Sequence, residues 1–171
     1  DNASADGSVA LLKKHYGDFK LIANQKNLGF AAAINQGIKQ ALGEIIVTLN
    51  VDVVLDPNFV LAALKQFQDE KVGAVAGKVL RLNNKKVIDS TGHVIYKNRL
   101  FIDRGDGEID KGQYDQREEI FGVCAGIGVY RRAMLEDVQI NGEYFDEDFF
   151  LFLEDTDLSW RAQLFGWKTI Y

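Results

Sequence analysis

The chain has 171 residues, a formal net charge of -5 and 47% hydrophobic residues. This length and composition predict one folded domain with its own core and exclude wholesale disorder. The acidic balance, with no run of more than two Lys or Arg residues, argues against nucleic-acid binding. No apolar stretch approaches the roughly 18–20 residues that span a bilayer. The single cysteine, Cys124, excludes an internal disulfide and fits a reducing, cytoplasmic compartment.

Helices and strands alternate along the first half of the predicted fold. The hydrophobic periodicity predicts a helix ending at Gly17, a strand over 19–23, a helix over 30–42, a strand over 44–49, a helix over 58–70 and a strand over 72–82. The strand over 44–49 is continuously apolar, which is typical of a strand buried on both faces. This order predicts an α/β domain with a mostly parallel sheet flanked by helices.

The second half of the chain has a different pattern. Residues 83–119 are polar and rich in Gly and Asp, which predicts hairpins or long loops at the mouth of a site. Residues 120–132 predict a strand interrupted by glycines, where a backbone or ligand comes close. An amphipathic helix is predicted over 154–167. The loop-like start and strand-like end of the chain predict a fragment of a single domain over residues 1–171.

Two groups of residues that contain acids are candidates for a metal-binding or catalytic site. Asn50 and Asp52 directly follow a predicted strand, and oxygen ligands at the carboxyl end of a strand suit a divalent cation that bridges phosphates. A strand-end Asx turn is the alternative. Glu154 and Asp155 open the last predicted helix, where the helix dipole alone favours acids. In the functional alternative, one of them is a general base for an acceptor hydroxyl.

Two polar loops are weaker candidates. Asp1 and Ser4 lie in the opening turn and could hydrogen-bond a base or a ribose, with an ordinary turn as the alternative. Asn27 and Gly29, with Asn35, open a helix whose free N–H groups could face a phosphate. A helix start of this kind often has only a structural role.

The remaining reactive or aromatic residues are interpreted as structural. His15 and His93 have no partner at ligand spacing, so they are predicted to be surface or loop residues. Cys124 is predicted to be a small buried residue. Trp160 is predicted to belong to the core, with stacking on a sugar ring beside Asp155 as the alternative.

The order and spacing of six segments resemble the family 2 glycosyltransferases, and in particular a rhamnosyltransferase-like bacterial branch. The segments are DNASADGS, NLGFAAAINQGI, LNVDVVLDPNF, DRGDGEIDKGQYD, FGVCAGIGVYRRAML and FDEDFFLFLEDTDLSWRAQLFGW. The resemblance implies a GT-A fold, which is Rossmann-like, with a nucleotide-binding half over 1–82 and an acceptor-binding half over 83–171. It also implies inverting hexosyl transfer from a nucleotide-diphosphate sugar to an acceptor hydroxyl in polysaccharide or cell-surface glycan synthesis.

The resemblance further implies roles for individual residues. Asp1 matches the acid that contacts the nucleobase, and Asn50 and Asp52 occupy the DxD position, with Asp52 as the ligand of a Mg or Mn ion beneath the diphosphate. Asp155 matches the catalytic base, with Glu154 as the second choice. The remaining residues of the implied nucleotide-sugar site are Ser4, Asn27, Gly29, Asn35 and Gly126.

The implied partners are a dTDP-rhamnose or UDP-sugar donor and a glycan or lipid-linked acceptor, and the implied location is cytoplasmic or at the inner face of the cell membrane through peripheral attachment. Trp160 and Arg161 lead into AQLFGW instead of the (Q/R)xxRW signature of processive synthases, which predicts single-sugar transfer. A non-catalytic nucleotide-binding or interaction module with the same fold is the alternative. A nucleotidyltransferase is disfavoured because no Gly-rich phosphate loop with Arg or Lys is visible.

Overall fold

The computed structural model describes all 171 residues. Its α-helices are α1 (Ser8–His15), α2 (Phe30–Gln40), α3 (Phe59–Gln66), α4 (Arg132–Val138) and α5 (Glu154–Leu164), with 3-10 turns at Ala125–Ile127 and Glu147–Phe149. Its strands are β1 (Ile45–Val47), β2 (Val72–Ala76), β3 (Val79–Arg81), β4 (Asn84–Ser90), β5 (His93–Ile95), β6 (Phe101–Asp103), β7 (Glu119–Ile120), β8 (Gly128–Arg131) and β9 (Lys168–Ile170). None of the helices has the length and apolar composition that crossing a membrane requires.

A five-stranded sheet with the order β1-β8-β2-β9-β7 forms the centre of the molecule. Strands β1, β2 and β9 share one direction, while β8 and β7 run antiparallel to their neighbours. The α/β class is therefore confirmed, but β8 pairs with both β1 and β2 and makes the sheet mixed. The pattern in the first half of the chain could not show this, because β8 comes from the second half.

Helices cover both faces of the sheet. Strand β2 is buried along its whole length. Val72 and Val75 belong to an apolar cluster with Ala63 of α3, whereas Ala74 and Ala76 belong to a larger cluster. The larger cluster contains residues of α2, α4 and α5, including Ile38, Leu135 and Leu158. The core therefore has two layers, one on each side of β2.

The polar second half forms hairpins, as the sequence predicts. Strands β3 and β4 pair antiparallel, and β5 and β6 pair antiparallel in a separate two-stranded sheet. In the β5–β6 hairpin, His93 is opposite Asp103 and Ile95 is opposite Phe101. Side chains of these four residues share one face of the hairpin because cross-strand partners and alternate residues lie on the same face.

Three predicted strands differ from the structure. The strand predicted over 72–82 is two strands, β2 and β3, which belong to different sheets. Residues 19–23 form no strand, because this segment pairs with no other strand. The Phe19 N–H donates to the Tyr16 carbonyl, and the Ile22 carbonyl accepts from the terminal amino group of Asp1. The strand predicted over 44–49 is shorter and is not buried on both faces, since Val47 and Leu49 are exposed at the edge of the sheet.

Gly29 at the start of α2 has a backbone that other residues rarely adopt. Its φ is 89° and its ψ is 168°. A Cβ at Gly29 would lie 2.6 Å from both the ring and the carbonyl oxygen of Phe150. That carbonyl accepts the Phe30 N–H at 2.6 Å, so it satisfies one of the free donors at the helix start. Gly29 is thus required by both backbone conformation and close approach.

We expect Gly29→Ala to destabilise the protein by about 1–3 kcal/mol or more, because it adds backbone strain and a steric clash. Gly37→Ala is the matched control, since Gly37 lies in the same helix and a Cβ there would meet nothing within 4 Å. This control should raise the free energy of unfolding by about 0.5–1 kcal/mol. Urea unfolding followed by circular dichroism measures both. Equal effects of the two substitutions would contradict this account of Gly29.

Candidate active site

A cleft of about 360 Å³ opens beside the N-terminus of α5. The residues that line it come from the start of α2, the loop after β1, the β5–β6 hairpin and the turn before β8. Others come from the segment before α5 and from the first turn of α5. They are Phe30, Asn50, His93, Phe101, Ile102, Asp103, Cys124, Gly126, Leu151, Phe152, Leu153, Glu154, Asp155 and Thr156. A second cavity of about 390 Å³, between α3 and residues 114–117, contains none of the predicted site residues.

Asp155 is held at the centre of this cleft by backbone donors. Its Oδ2 accepts the N–H of Ala125 at 3.0 Å, and its Oδ1 accepts the N–H of Thr156 at 2.7 Å. Its side chain is 14% exposed, so the carboxylate is restrained but still open to a ligand. A carboxylate oxygen has more than one lone pair. Each oxygen of Asp155 can therefore accept a further hydrogen bond, or a proton, from a ligand.

His93 lies between two carboxylates. Its Nε2 is 3.5 Å from Oδ1 of Asp103 and 4.0 Å from Oδ2 of Asp155. Burial disfavours the charged imidazolium, but the contacts with Asp103 and Cys124 and the charges of Asp155 and Asp103 outweigh burial and raise the pKa of His93 to about 10. The same contact lowers the pKa of Asp103 despite its burial. At neutral pH the cleft thus contains a cationic His93 beside the Asp155 carboxylate.

Glu154 differs from Asp155 in its surroundings. It is only 4% exposed, and its Oε2 is buried with no hydrogen-bond partner. Burial, together with the charge of Asp155, raises the pKa of Glu154. Of the two adjacent acids, Asp155 therefore has the better geometry for a base that receives a proton from a ligand in the cleft.

Asn50 and Gly126 form the opposite part of the cleft. The Asn50 N–H donates to the Gly126 carbonyl at 2.8 Å, and a Cβ at Gly126 would lie 3.0 Å from Nδ2 of Asn50. Thr48 anchors this contact, since its Oγ1 donates to the Ala125 carbonyl at 2.6 Å. The structure therefore brings together four of the sequence-predicted residues, namely Asn50, Gly126, Glu154 and Asp155.

A second group of predicted residues surrounds Asn2 rather than the cleft. Nδ2 of Asn2 donates to Oδ1 of Asn27 at 2.9 Å and to the Gly29 carbonyl at 2.8 Å. Asp1 accepts the N–H of Ser4 at 3.0 Å. These bonds join the opening turn to the loop before α2. Phe30, which follows Gly29, lines the cleft and so places this loop next to it.

Asn35 does not reach the cleft. It is 1% exposed, and its amide donates to the Phe145 carbonyl at 2.7 Å and accepts the Phe145 N–H at 2.9 Å. Its side chain also donates to Glu147 at 3.0 Å. The polar atoms of Asn35 are therefore used to attach α2 to residues 145–147, and the place of Asn35 in a nucleotide-sugar site stays a prediction.

Asp52 lies in the exposed turn after β1, outside the residues that line the cleft. Its single carboxylate suits a Mg or Mn ion that takes most of its ligands from phosphate and water, which is how such ions are usually held in nucleotide sites. Asp52 therefore fits such an ion as one ligand among several.

His93, Cys124 and Asp155 also have ligand atoms within 4.8 Å of one another. A set of nitrogen, sulfur and oxygen ligands suits zinc better than Mg or Mn. A metal requires neutral imidazole, whereas the pKa of His93 favours its protonated form at neutral pH. A metal ion at these three side chains would therefore have to displace the proton of His93, and without one His93 and Asp155 form a charged cluster.

Sequence reasoning missed His93 and Asp103, and it interpreted Cys124 only as a core residue. His93 is buried, 7% exposed, rather than a surface or loop residue. Its proximity to Asp155 results from the β5–β6 hairpin and from the pairing of His93 with Gly122, whose carbonyl accepts the His93 N–H at 2.8 Å. The alternating pattern of residues 93–103 was the available signal, because it places His93 and Asp103 opposite each other in a hairpin.

Comparison with known proteins identifies the family. The model of glycosyl transferase family 2 matches residues 1–139. The chain belongs to this family. The match covers most of the domain, from the opening turn through α4, and it establishes the α/β structure as a GT-A fold.

Curated relatives of this glycosyl transferase family 2 chain include poly-beta-1,6-N-acetyl-D-glucosamine synthases. The protein from Staphylococcus epidermidis is 27% identical, and the one from Staphylococcus aureus strain COL is 25% identical. Each alignment covers 100% of this chain and 39% of the relative, so the chain spans about two fifths of their length. Among solved structures, the crystal structure of A197 from STIV aligns with 95% of this chain and 72% of that chain, at a TM-score of 0.49 and 14% identity.

The raised pKa of His93 has a measurable consequence. We expect the His93 imidazole to remain protonated between pH 7 and 9 in NMR titrations, whereas an ordinary histidine loses its proton near pH 6.5. Because the folded-state pKa lies above that of the unfolded chain, the stabilisation is complete below about pH 6.5 and is lost as the pH rises towards about 10.

His15→Gln is the matched control and simplifies the spectrum, because the chain has only two histidines and His15 is exposed. It should preserve the pH dependence of the free energy of unfolding, while His93→Gln should remove the part between pH 6.5 and 10. An imidazole at His93 that titrates near pH 6.5 would contradict this description of the charged cluster.

Proposed function

We propose that this protein catalyses inverting transfer of a single sugar from a nucleotide-diphosphate sugar to an acceptor hydroxyl. The observation that carries the proposal is Asp155, a carboxylate that opens into the cleft and is oriented by the backbone N–H groups of Ala125 and Thr156. Membership of glycosyl transferase family 2 supports the same reaction class. The fixed orientation suits a base that must meet one hydroxyl in one position.

In the proposed reaction, the acceptor oxygen forms a bond to the anomeric carbon while the bond from that carbon to the diphosphate breaks. The acceptor proton goes to Asp155, and the nucleoside diphosphate leaves with the bonding electrons. The cationic His93, with its Nε2 4.0 Å from Oδ2 of Asp155, lies beside the carboxylate that receives the proton. Glu154 stays beside it as a buried acid with a raised pKa.

The donor side of the site is proposed to include Asn50, Asp52 and Gly126, next to the loops that contain Asp1, Ser4, Asn27 and Gly29. Asp52 would hold a Mg or Mn ion, which when bound would neutralise charge on the leaving diphosphate. Asn50 supplies an amide where an acid would otherwise stand, so we expect this chain to hold the ion through Asp52, phosphate oxygens and water.

We propose dTDP-rhamnose or a UDP-sugar as donor and a glycan or lipid-linked saccharide as acceptor. The two named relatives are synthases of a polysaccharide, which supports a role in polysaccharide synthesis, with the cytoplasm or the inner face of the cell membrane as the location. Single-sugar transfer is part of the proposal, and counting the sugars added to one acceptor tests it. Products longer by several sugars would contradict it.

Asp155→Asn should lower transfer by about 10²–10⁴-fold, because an amide cannot accept the proton. Donor binding should change little, since the substitution keeps the size of the side chain. Release of nucleoside diphosphate in the presence of acceptor measures transfer, and calorimetric titration with the nucleoside diphosphate measures binding. Asp148→Asn is the matched control at an exposed acid near the same helix, and it should retain wild-type activity. Normal turnover by Asp155→Asn would overturn the assignment of the base.

A thermal-shift panel with UDP, dTDP and GDP, each with and without Mg or Mn, tests the donor site. A nucleotide at about 100 times its Kd should stabilise the fold by about 2.7 kcal/mol. Asp52→Asn should remove the part of the shift that depends on the cation and keep the part due to the nucleotide alone. The exposed Asp18→Asn is the control and should show the full response. A cation-dependent shift that survives in Asp52→Asn would place the ion elsewhere.

A further inference from the structure

We propose that Phe101 and Trp160 form a stacking surface for the pyranose ring of the acceptor, with Asp103 as a hydrogen-bond acceptor for its hydroxyls. This subsite, named here the aromatic shelf, deepens the proposed function by assigning the acceptor side of the cleft. The inference that the ligand is the acceptor rests on that proposed function. The inference that a sugar ring binds here does not depend on it.

The aromatic shelf is built from separate elements of the fold. Phe101 is on β6, Phe121 follows β7, and Trp160 is on α5. The ring centroids of Phe101 and Phe121 are 5.3 Å apart, and those of Phe101 and Trp160 are 6.4 Å apart in an edge-on arrangement. Phe121 and Trp160 are 6.0 Å apart. Edge-on packing of this kind fixes the orientation of the rings.

Trp160 is 40% exposed, which is unusual for the member of a packed aromatic cluster. It lies one helical turn after Thr156, and residues four apart share a helix face. Thr156 and Phe101 both line the cleft that contains Asp155. The exposed indole therefore lies next to the cleft, beside the ring of Phe101.

The polar side of the aromatic shelf is Asp103. Phe101 and Asp103 are alternate residues of β6, share one face of the strand and both line the cleft. Asp103 is half-exposed, and its buried Oδ1 lies 3.5 Å from Nε2 of His93, so the exposed part of the carboxylate is the part that a sugar hydroxyl can reach. An aromatic face beside a carboxylate matches a sugar ring, which presents C–H groups on its faces and hydroxyls at its edge. An apolar ligand would cover the exposed part of the Asp103 carboxylate without offering it a hydrogen-bond donor.

The contacts through the cleft assign the aromatic shelf to the acceptor rather than to the donor. Asn50 contacts Gly126. The residue before Gly126, Ala125, donates its N–H to Asp155. Beyond Asp155 lies His93, and beyond His93 lies Asp103. Asp155 thus separates the proposed donor residues from the aromatic shelf. A base must stand beside the hydroxyl that it deprotonates, so the acceptor belongs on this far side.

NMR of the two tryptophan indole N–H groups in the wild-type protein tests the aromatic shelf. Trp160→Phe assigns the signals, since the chain has only Trp160 and Trp167. The probes are methyl glycosides of hexoses, deoxyhexoses and N-acetylhexosamines, added without donor. At least one probe should shift the Trp160 signal in a saturable way and leave the Trp167 signal unchanged, because Trp167 is bonded to Asp137 away from the cleft.

Phe101→Ala should weaken that binding about ten-fold, which corresponds to about 1.4 kcal/mol. Leu164→Ala is the control, since Leu164 is 72% exposed on the same helix but lies outside the cleft. Asp103→Asn should weaken binding of the same probe with little effect on the Trp160 signal of the free protein.

The outcomes separate the aromatic shelf from the proposed function. A saturable shift that needs Phe101 supports the subsite even if Asp155→Asn retains transfer, in which case only the catalytic assignment fails. Transfer by the wild-type protein with no probe shifting Trp160, or with Phe101→Ala binding as well as Leu164→Ala, overturns the aromatic shelf alone. Equal shifts of both tryptophans also overturn it.

Discussion

The insertion of β8 between β1 and β2 is the constraint on which the rest of the structure depends. This strand pairs antiparallel with both neighbours and buries Val129 and Tyr130 almost completely. The turn that precedes β8 is therefore fixed against the end of β1. Through that turn, the Ala125 N–H meets Asp155 and the Gly126 carbonyl meets the N–H of Asn50. One ladder of hydrogen bonds thus positions both sides of the cleft.

The local parts of the fold could be predicted from the sequence. Helix α5 begins at Glu154, as the cluster of acids predicts, and Asn50 follows β1 at its carboxyl end. These features depend on residues that are close in the sequence. The direction of β8 and the pairing of His93 with Gly122 depend on contacts between distant segments, and no periodic pattern records them. For the same reason, the sequence does not show that the Asn35 amide is hydrogen-bonded to the backbone of Phe145, 110 residues away.

The electrostatics of the cleft depend on three charged side chains that lie close together, His93, Asp103 and Asp155. His93 is surrounded by acids, and its positive charge offsets much of the repulsion between Asp103 and Asp155. Buried charges are tolerated only when they are paired. The cluster therefore places the Asp155 carboxylate beside a positive charge in a partly buried site, next to Glu154, whose pKa is raised by burial.

The order of the strands also determines when the site can form during folding. β1 ends at Val47 but needs β8, which begins at Gly128, and β2 needs β9, which begins at Lys168. Pairings between such distant segments fold slowly, because long loops must close before the contacts can stabilise them. On the ribosome, β1 and β2 leave the exit tunnel long before their partners are made. The apolar edges of both strands are then unpaired for that interval, which is when association with other chains or with chaperones is most probable.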